Sequence, residues 1–116
     1  MMRLPKLVIQ GGIPLKGTIR ISGSKNSALP CLFATLLTDD PCTLENVPDL
    51  MDIRTTCSLL EYLGKKIVFK DNAVSIFRGR RPRTTAPYDL VSRMRASALV
   101  LGPILARWGK AAASLP

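Results

Sequence analysis

The chain has 116 residues, room for one domain, and 47% of them are apolar against 22% charged, so a dry core can form and wholesale disorder is excluded. It has no histidine, which removes His-based acid–base catalysis, Ser-His triads and His-ligated metals. The net charge of +9 is unevenly placed: residues 1–38 carry +5, residues 39–71 carry −3 and residues 72–116 carry +7, so the two basic blocks call for an anion or an acidic partner between them.

Leu7–Gln10 reads as a short strand stopped by Gly11-Gly12. Thr18–Ser22 alternates, with Ile19 and Ile21 on one face, and reads as a second strand. After Gly23-Ser24 the apolar run Ala28–Leu37 is helical in character, and Cys42–Val47 is a third strand. Asp49, with Asp52 three residues on, is placed to cap the next helix. That helix carries Leu50, Ile53, Cys57 and Leu60 on one face and ends at Gly64. Lys66–Lys70 and Ala73–Phe77 flank Asp71-Asn72, a hairpin signal. Arg78–Ala86 is a basic, proline-containing loop. From Pro87 a long helix is expected, with Val91, Met94, Ala98, Leu101, Leu105 and Trp108 as its apolar stripe and a kink at Gly102-Pro103. Lys110–Leu115 reads as the start of another strand. The order ββαβαββαβ is α/β or α+β.

No apolar stretch reaches the ~20 residues a bilayer-spanning helix needs. The N-terminus has no secretory pattern, so an intracellular, soluble protein is expected. Cys31, Cys42 and Cys57 contain no C-x-x-C pair, which argues against a zinc knuckle or a redox dithiol. They are expected as reduced, buried thiols in apolar runs.

Three groups of residues could carry chemistry. Gly23-Ser24-Lys25-Asn26 lies where a strand passes into a helix, a place where backbone N–H groups, the helix dipole and a lysine together suit a phosphate or carboxylate. It is not a P-loop, because the G-x-x-x-x-G-K-[ST] spacing is absent. Arg95 has no acidic neighbour at helical spacing and is a candidate ligand contact, whereas Arg93 has Asp89 four residues before it and is expected to pair locally. The run Arg78-Gly79-Arg80-Arg81-Pro82-Arg83 is basic enough to steer anions. It contains no aromatic, which weighs against specific nucleic-acid binding, although a non-catalytic basic fragment that binds nucleic acid stays an alternative.

The stretch Thr18-Ile19-Arg20-Ile21-Ser22-Gly23-Ser24-Lys25-Asn26-Ser27-Ala28-Leu29-Pro30 resembles the opening motif of the enolpyruvyl transferases. Asn46–Leu50, Pro87–Val91, and Met94–Ser97 with Leu101–Pro103 agree with it in the same order. Asn26 directly after Lys25, followed by Ala28-Leu29-Pro30, favours the branch that acts on UDP-N-acetylglucosamine over the shikimate branch, which is the alternative enzyme reading.

The resemblance implies an inside-out α/β barrel of which only the first one or two repeat units are present. Residues 1–24 would be strands that complete the C-terminal domain, and residues 25–116 an incomplete N-terminal domain. It also implies transfer of the enolpyruvyl group from phosphoenolpyruvate to the sugar 3-hydroxyl with release of phosphate, in the cytoplasm, as the first committed step of peptidoglycan synthesis. Lys25 and Asn26 match the phosphoenolpyruvate-binding pair, and Arg95 matches the arginine that contacts the UDP-sugar. No metal, organic cofactor, membrane, nucleic acid or obligate protein partner is implied. None of Cys31, Cys42 or Cys57 matches the general-acid cysteine, which is expected beyond Pro116, so this chain reads as a fragment without transferase activity of its own.

Overall fold

A computed structural model describes residues 4–114. Helix α1 (Lys25–Ala34) continues into a 3-10 turn (Thr35–Leu37) and is followed by β1 (Cys42–Leu44) and α2 (Met51–Tyr62). Then come β2 (Lys65–Lys70), β3 (Ala73–Arg78), β4 (Thr85–Ala86), the short α3 (Tyr88–Val91), a 3-10 segment (Arg95–Val100), α4 (Leu101–Trp108) and β5 (Ala112–Ala113). The architecture is mixed α/β, and no closed barrel forms among the described residues.

Strands β1, β3 and β2 make one antiparallel sheet in that spatial order. Cys42 and Ile67 flank Ile76 from opposite sides, and Val74 and Ile76 are buried. The hairpin expected around Asp71-Asn72 forms, with both residues at positive φ (52° and 60°), as a type I′ turn requires. The Asn72 amide also reaches the Val47 carbonyl at 3.0 Å, while the Val47 N–H donates to the Asn72 carbonyl at 2.8 Å. The turn therefore anchors the chain leaving β1. Strand β1 itself stops at Leu44, short of the Val47 expected, because Asn46 turns the backbone to φ 54°.

One core unites the helices and the sheet. From α1 and the 3-10 turn come Leu29, Leu32, Phe33 and Leu36, spaced three, four and seven residues from the first, the stripe of a half-buried helix. They meet Ile53, Cys57, Leu60 and Leu63 of α2 and its end, Val74 and Ile76 of β3, and Val91, Val100 and Ile104 from the last third of the chain. Gly64 ends α2 at φ 116°, where a side chain would be strained.

Several expectations are corrected. Leu7–Gln10 and Thr18–Ser22 are not strands: Leu7, Ile9, Ile19 and Ile21 are all at least 76% exposed, and residues 4–22 run as an extended arm. A strand exists only by pairing its N–H and C=O groups, and no described segment pairs with these. The arm contributes to a radius of gyration of 17.9 Å, against about 13 Å for a compact chain of this length. Asp49 does not cap α2. Leu50 occupies the cap position, without a side-chain cap, and Asp49 instead binds Arg54.

The single long helix after Pro87 is also absent. Extended backbone at Met94 (φ −161°, ψ 127°) interrupts it, and the buried residues become Val91, Met94, Ser97 and Val100. Their spacing of three is that of a 3-10 helix and not of an α-helix. Pro103 falls in the first turn of α4, where a missing N–H is harmless, so the break lies upstream of it. The last expected strand is reduced to Ala112–Ala113, parallel to β4, and Leu115 lies outside the described residues. No helix among the described residues is long and apolar enough to cross a membrane.

The cysteines divide. Cys57 is buried, Cys42 is half-buried and Cys31 is exposed, contrary to the expectation of three buried thiols. Burial pushes the Cys57 thiol up to about 11, with Glu61 adding to the rise. A thiol raised in this way keeps its proton in the folded state between about pH 9 and 11, where the unfolded chain loses it. The resulting stability is fully present below pH 9 and declines as pH rises towards 11. Thiol labelling at pH 8 is expected to modify Cys31 first and Cys57 last, read by peptide mass spectrometry, and urea midpoints are expected to fall between pH 9 and 10.5 but not in Cys57→Ala.

Candidate functional site

The junction before α1 is built on close approach. A Cβ at Gly23 would lie 1.6 Å from the Asn46 carbonyl oxygen, so only glycine lets the end of the arm pass over the β1–α2 connection. Ser24 then takes extended backbone (φ −100°, ψ 129°), and the Ala28 N–H closes the first helical turn onto the Ser24 carbonyl at 2.9 Å. This starts the helix at Lys25, three residues ahead of the apolar run that predicted it. Ser24 makes no side-chain cap, and there is no acidic residue in the first turn of α1. The N-terminal N–H groups of α1 therefore present partial positive charge beside Lys25.

Lys25 is half-buried and Asn26 exposed. The Lys25 ammonium donates to Asp52 Oδ2 at 3.0 Å. Asp52 lies in the first turn of α2, where the helix dipole favours a carboxylate. Its contact to Lys25 spans 27 residues of sequence and depends on how α1 packs against α2, which no local spacing encodes.

Beside this pair lies an open hollow of about 780 Å³ lined by Asp49, Asp52, Arg54, Thr55, Ser58 and Arg93, among others. Arg54, in its lining, is held by two 2.7 Å hydrogen bonds to Asp49 and lies 5.4 Å from the Phe69 ring centroid. The fork also sets the titration of both groups: the hydrogen bond from Arg54 lowers the Asp49 pKa, and the bond to Asp49 raises that of Arg54.

Of the two arginines at 93 and 95, Arg93 departs from the local-pairing argument, while Arg95 has no ion pair among the described residues, as expected. Arg93 forms no ion pair with Asp89 among the described residues. The reason is that α3 ends at Val91, before Arg93 can stand one α-helical turn above Asp89, and Arg93 borders the hollow instead. Arg95 is exposed at the first position of the 3-10 segment, which packs on α1. No hydrogen bond links it to Lys25 or Asn26 among the described residues. Of the three residues selected from sequence, Lys25 and Asn26 are consecutive at the head of α1, and Arg95 lies on the 3-10 segment that packs against it.

The basic loop is partly absorbed into the fold. The Arg83 N–H donates to the Leu63 carbonyl at 3.1 Å, the Arg83 guanidinium lies 4.3 Å from the Tyr62 ring centroid, and the Gly79 N–H reaches the Gly64 carbonyl at 3.1 Å. Arg80 and Arg81 stay exposed. A second charged cluster was not foreseen. Lys65 is 8% exposed with its ammonium on the Thr38 carbonyl, and Arg107 binds the Leu36 carbonyl at 3.0 Å and Asp39 at 2.8 Å. Burial, reinforced by Arg107, lowers the Lys65 pKa, and the hydrogen bond from Arg107 lowers that of Asp39. Among the described residues no group of three or more Cys, Asp and Glu side chains could hold a metal.

A lysine heads a helix N-terminus seated by a glycine, beside a hollow lined by two arginines and two aspartates, on a mixed α/β scaffold. The chain belongs to the EPSP synthase (3-phosphoshikimate 1-carboxyvinyltransferase) family, whose model matches residues 9–116. Within that family it is similar to proteins named UDP-N-acetylglucosamine 1-carboxyvinyltransferase. It is 53% identical to the one from Endomicrobium trichonymphae over 113 residues, 54% to the one from Desulfovibrio desulfuricans over 113, and 55% to the one from Sorangium cellulosum over 108. These alignments take in 97%, 97% and 93% of this chain but 27%, 27% and 26% of the relatives, so the chain spans about a quarter of their length. Among solved structures it resembles the enolpyruvyl transferase NikO from Streptomyces tendae, with a TM-score of 0.72 at 26% identity over 87% of this chain and 24% of that one.

The seat of α1 is testable directly. Gly23→Ala is expected to lower stability by more than about 1 kcal/mol, since backbone must move to accept the methyl group. Chemical denaturation measures this, and Gly17→Ala serves as the comparison, because a Cβ there meets nothing within 4 Å and only its own φ of 153° is affected.

Proposed function

We propose that this chain contributes the first part of an enzyme that transfers the enolpyruvyl group of phosphoenolpyruvate to the 3-hydroxyl of UDP-N-acetylglucosamine, releasing phosphate. The observation that carries the reading is identity of 53–55% to enzymes of that name along nearly the whole chain. The placement of Lys25 at the head of α1 supports it. The sugar oxygen attacks C2 of phosphoenolpyruvate as C3 gains a proton, and the tetrahedral adduct then loses phosphate. Negative charge on phosphate and carboxylate persists throughout, so fixed cations stabilise the path. Lys25 and the N-terminal N–H groups of α1 suit the phosphate, Asn26 offers an amide donor beside them, and Arg95 is assigned to the UDP-sugar.

Residues 4–22, extended and apolar, suit strands added to a sheet elsewhere in the whole enzyme, in keeping with a division of the chain near residue 24. Cys57 is a poor candidate for the acid that protonates C3, because its thiol is buried and its pKa raised. The family model's description names the shikimate 3-phosphate reaction, which makes that phosphorylated cyclohexene acid the competing acceptor. A cytoplasmic setting and a role in peptidoglycan precursor synthesis follow from the favoured acceptor.

The full-length gene product is expected to release phosphate from phosphoenolpyruvate with UDP-N-acetylglucosamine and not with shikimate 3-phosphate. The reverse preference would overturn the acceptor assignment. Lys25→Ala should weaken transition-state stabilisation by about 2–4 kcal/mol in kcat/KM for phosphoenolpyruvate. Arg95→Ala should raise the KM for the UDP-sugar about tenfold or more, the loss of one charge-assisted contact.

A further inference from the structure

We propose that Asp52 is a positioning residue for Lys25, holding its ammonium ready for the phosphate of phosphoenolpyruvate; the proposal rests on the reading of Lys25 given above. The Lys25–Asp52 contact is 3.0 Å long, with the two side chains 42% and 33% exposed. Ion pairs this accessible add little to stability, so its value to the fold is small. Its value to a site is larger. A lysine side chain is long and loses much rotamer freedom when it is fixed. A lysine at the head of a helix is also repelled by the positive end of the dipole. Left alone, the Lys25 ammonium would drift from the place where the N–H groups of α1 point.

Asp52 is well held to prevent this. It stands in the first turn of α2, between the neighbouring core residue Ile53, 0% exposed, and the Thr56 hydroxyl, which donates to the Asp52 carbonyl at 2.8 Å. An ammonium has three N–H donors, and Asp52 takes one, leaving two for an incoming phosphate. The carboxylate lowers the net attraction for an anion while it fixes the cation's position. This is a trade of ground-state affinity for orientation, which acts on kcat more than on KM. Asp52 also borders the open hollow with Arg54 and Arg93, so the pair sits at the rim of a space an anionic ligand can enter.

The test uses the full-length gene product with steady-state kinetics on both substrates. Asp52→Asn is expected to lower kcat about tenfold to hundredfold while the KM for phosphoenolpyruvate stays or falls. Asp52→Glu should recover most of the lost kcat. In a Lys25→Ala background Asp52→Asn should lower kcat by no more than about twofold further, since its effect passes through Lys25. Circular-dichroism melts of each variant accompany the kinetics, and Asp52→Asn is expected to melt within a few degrees of the parent. Unchanged kcat in Asp52→Asn, a failure of Asp52→Glu to recover it, or an undiminished loss in the Lys25→Ala background would each overturn the proposal while leaving the assignment of Lys25 standing. A parent protein that releases no phosphate from phosphoenolpyruvate would instead remove the reading of the site on which the proposal rests.

Discussion

Keeping one face of α1 dry is the constraint that organises this chain. Leu29, Leu32, Phe33 and Leu36 are buried to 4% exposure or less, and every other core element packs on that stripe directly or through its neighbours. Helix α2 lies along it, the 3-10 segment and α4 close over it, and β1 meets its side. Because α1 is locked by its apolar face, its N-terminus is locked as well. Lys25 is thereby given a defined origin, and Asp52, one helix away, can meet it. The backbone rigidity of the candidate site is borrowed from the core.

The other end of the same helix shows the complementary problem. Where the 3-10 turn stops, main-chain carbonyls lose their helical partners in a half-buried place. The Leu36 carbonyl is taken by Arg107 and the Thr38 carbonyl by Lys65, contacts that span 71 and 27 residues. Cations at a helix C-terminus also suit the dipole. The arrangement draws α4 and β2 to one point and leaves Lys65 buried with a lowered pKa, a cost set against carbonyls that would otherwise be unpaired. Part of the chain's positive charge is therefore structural. The rest, on the arm, on Arg80 and Arg81 and at residues 93–95, faces outward.

The arm and the core obey different physics. Residues 4–22 hold apolar side chains that would bury well on one face of a sheet, yet they lie exposed because no described strand pairs with them. The junction at Gly23, by contrast, is tightly packed against Asn46. The direction in which the arm leaves is thus set by the folded part, while its own side chains lie exposed.

Much of this was legible in the order of the residues. The helical run of α1, the Ile53-Cys57-Leu60 face of α2, the Asp71-Asn72 turn and the glycine stop at Gly64 follow from local rules, while Leu50, expected on that face, lies exposed at the cap position. The junction motif at Gly23–Asn26, with three further motifs in the same order, marked the family. Tertiary structure alone decided the rest. It made Asp52 the partner of Lys25, because that contact needs two helices side by side. It separated Arg93 from Asp89 by ending α3 early, and it replaced an α-helical stripe with a three-residue spacing at Val91, Met94, Ser97 and Val100. It also left two good strand sequences unpaired, since alternation states a preference for a sheet but only a neighbouring backbone can satisfy the hydrogen bonds that make one.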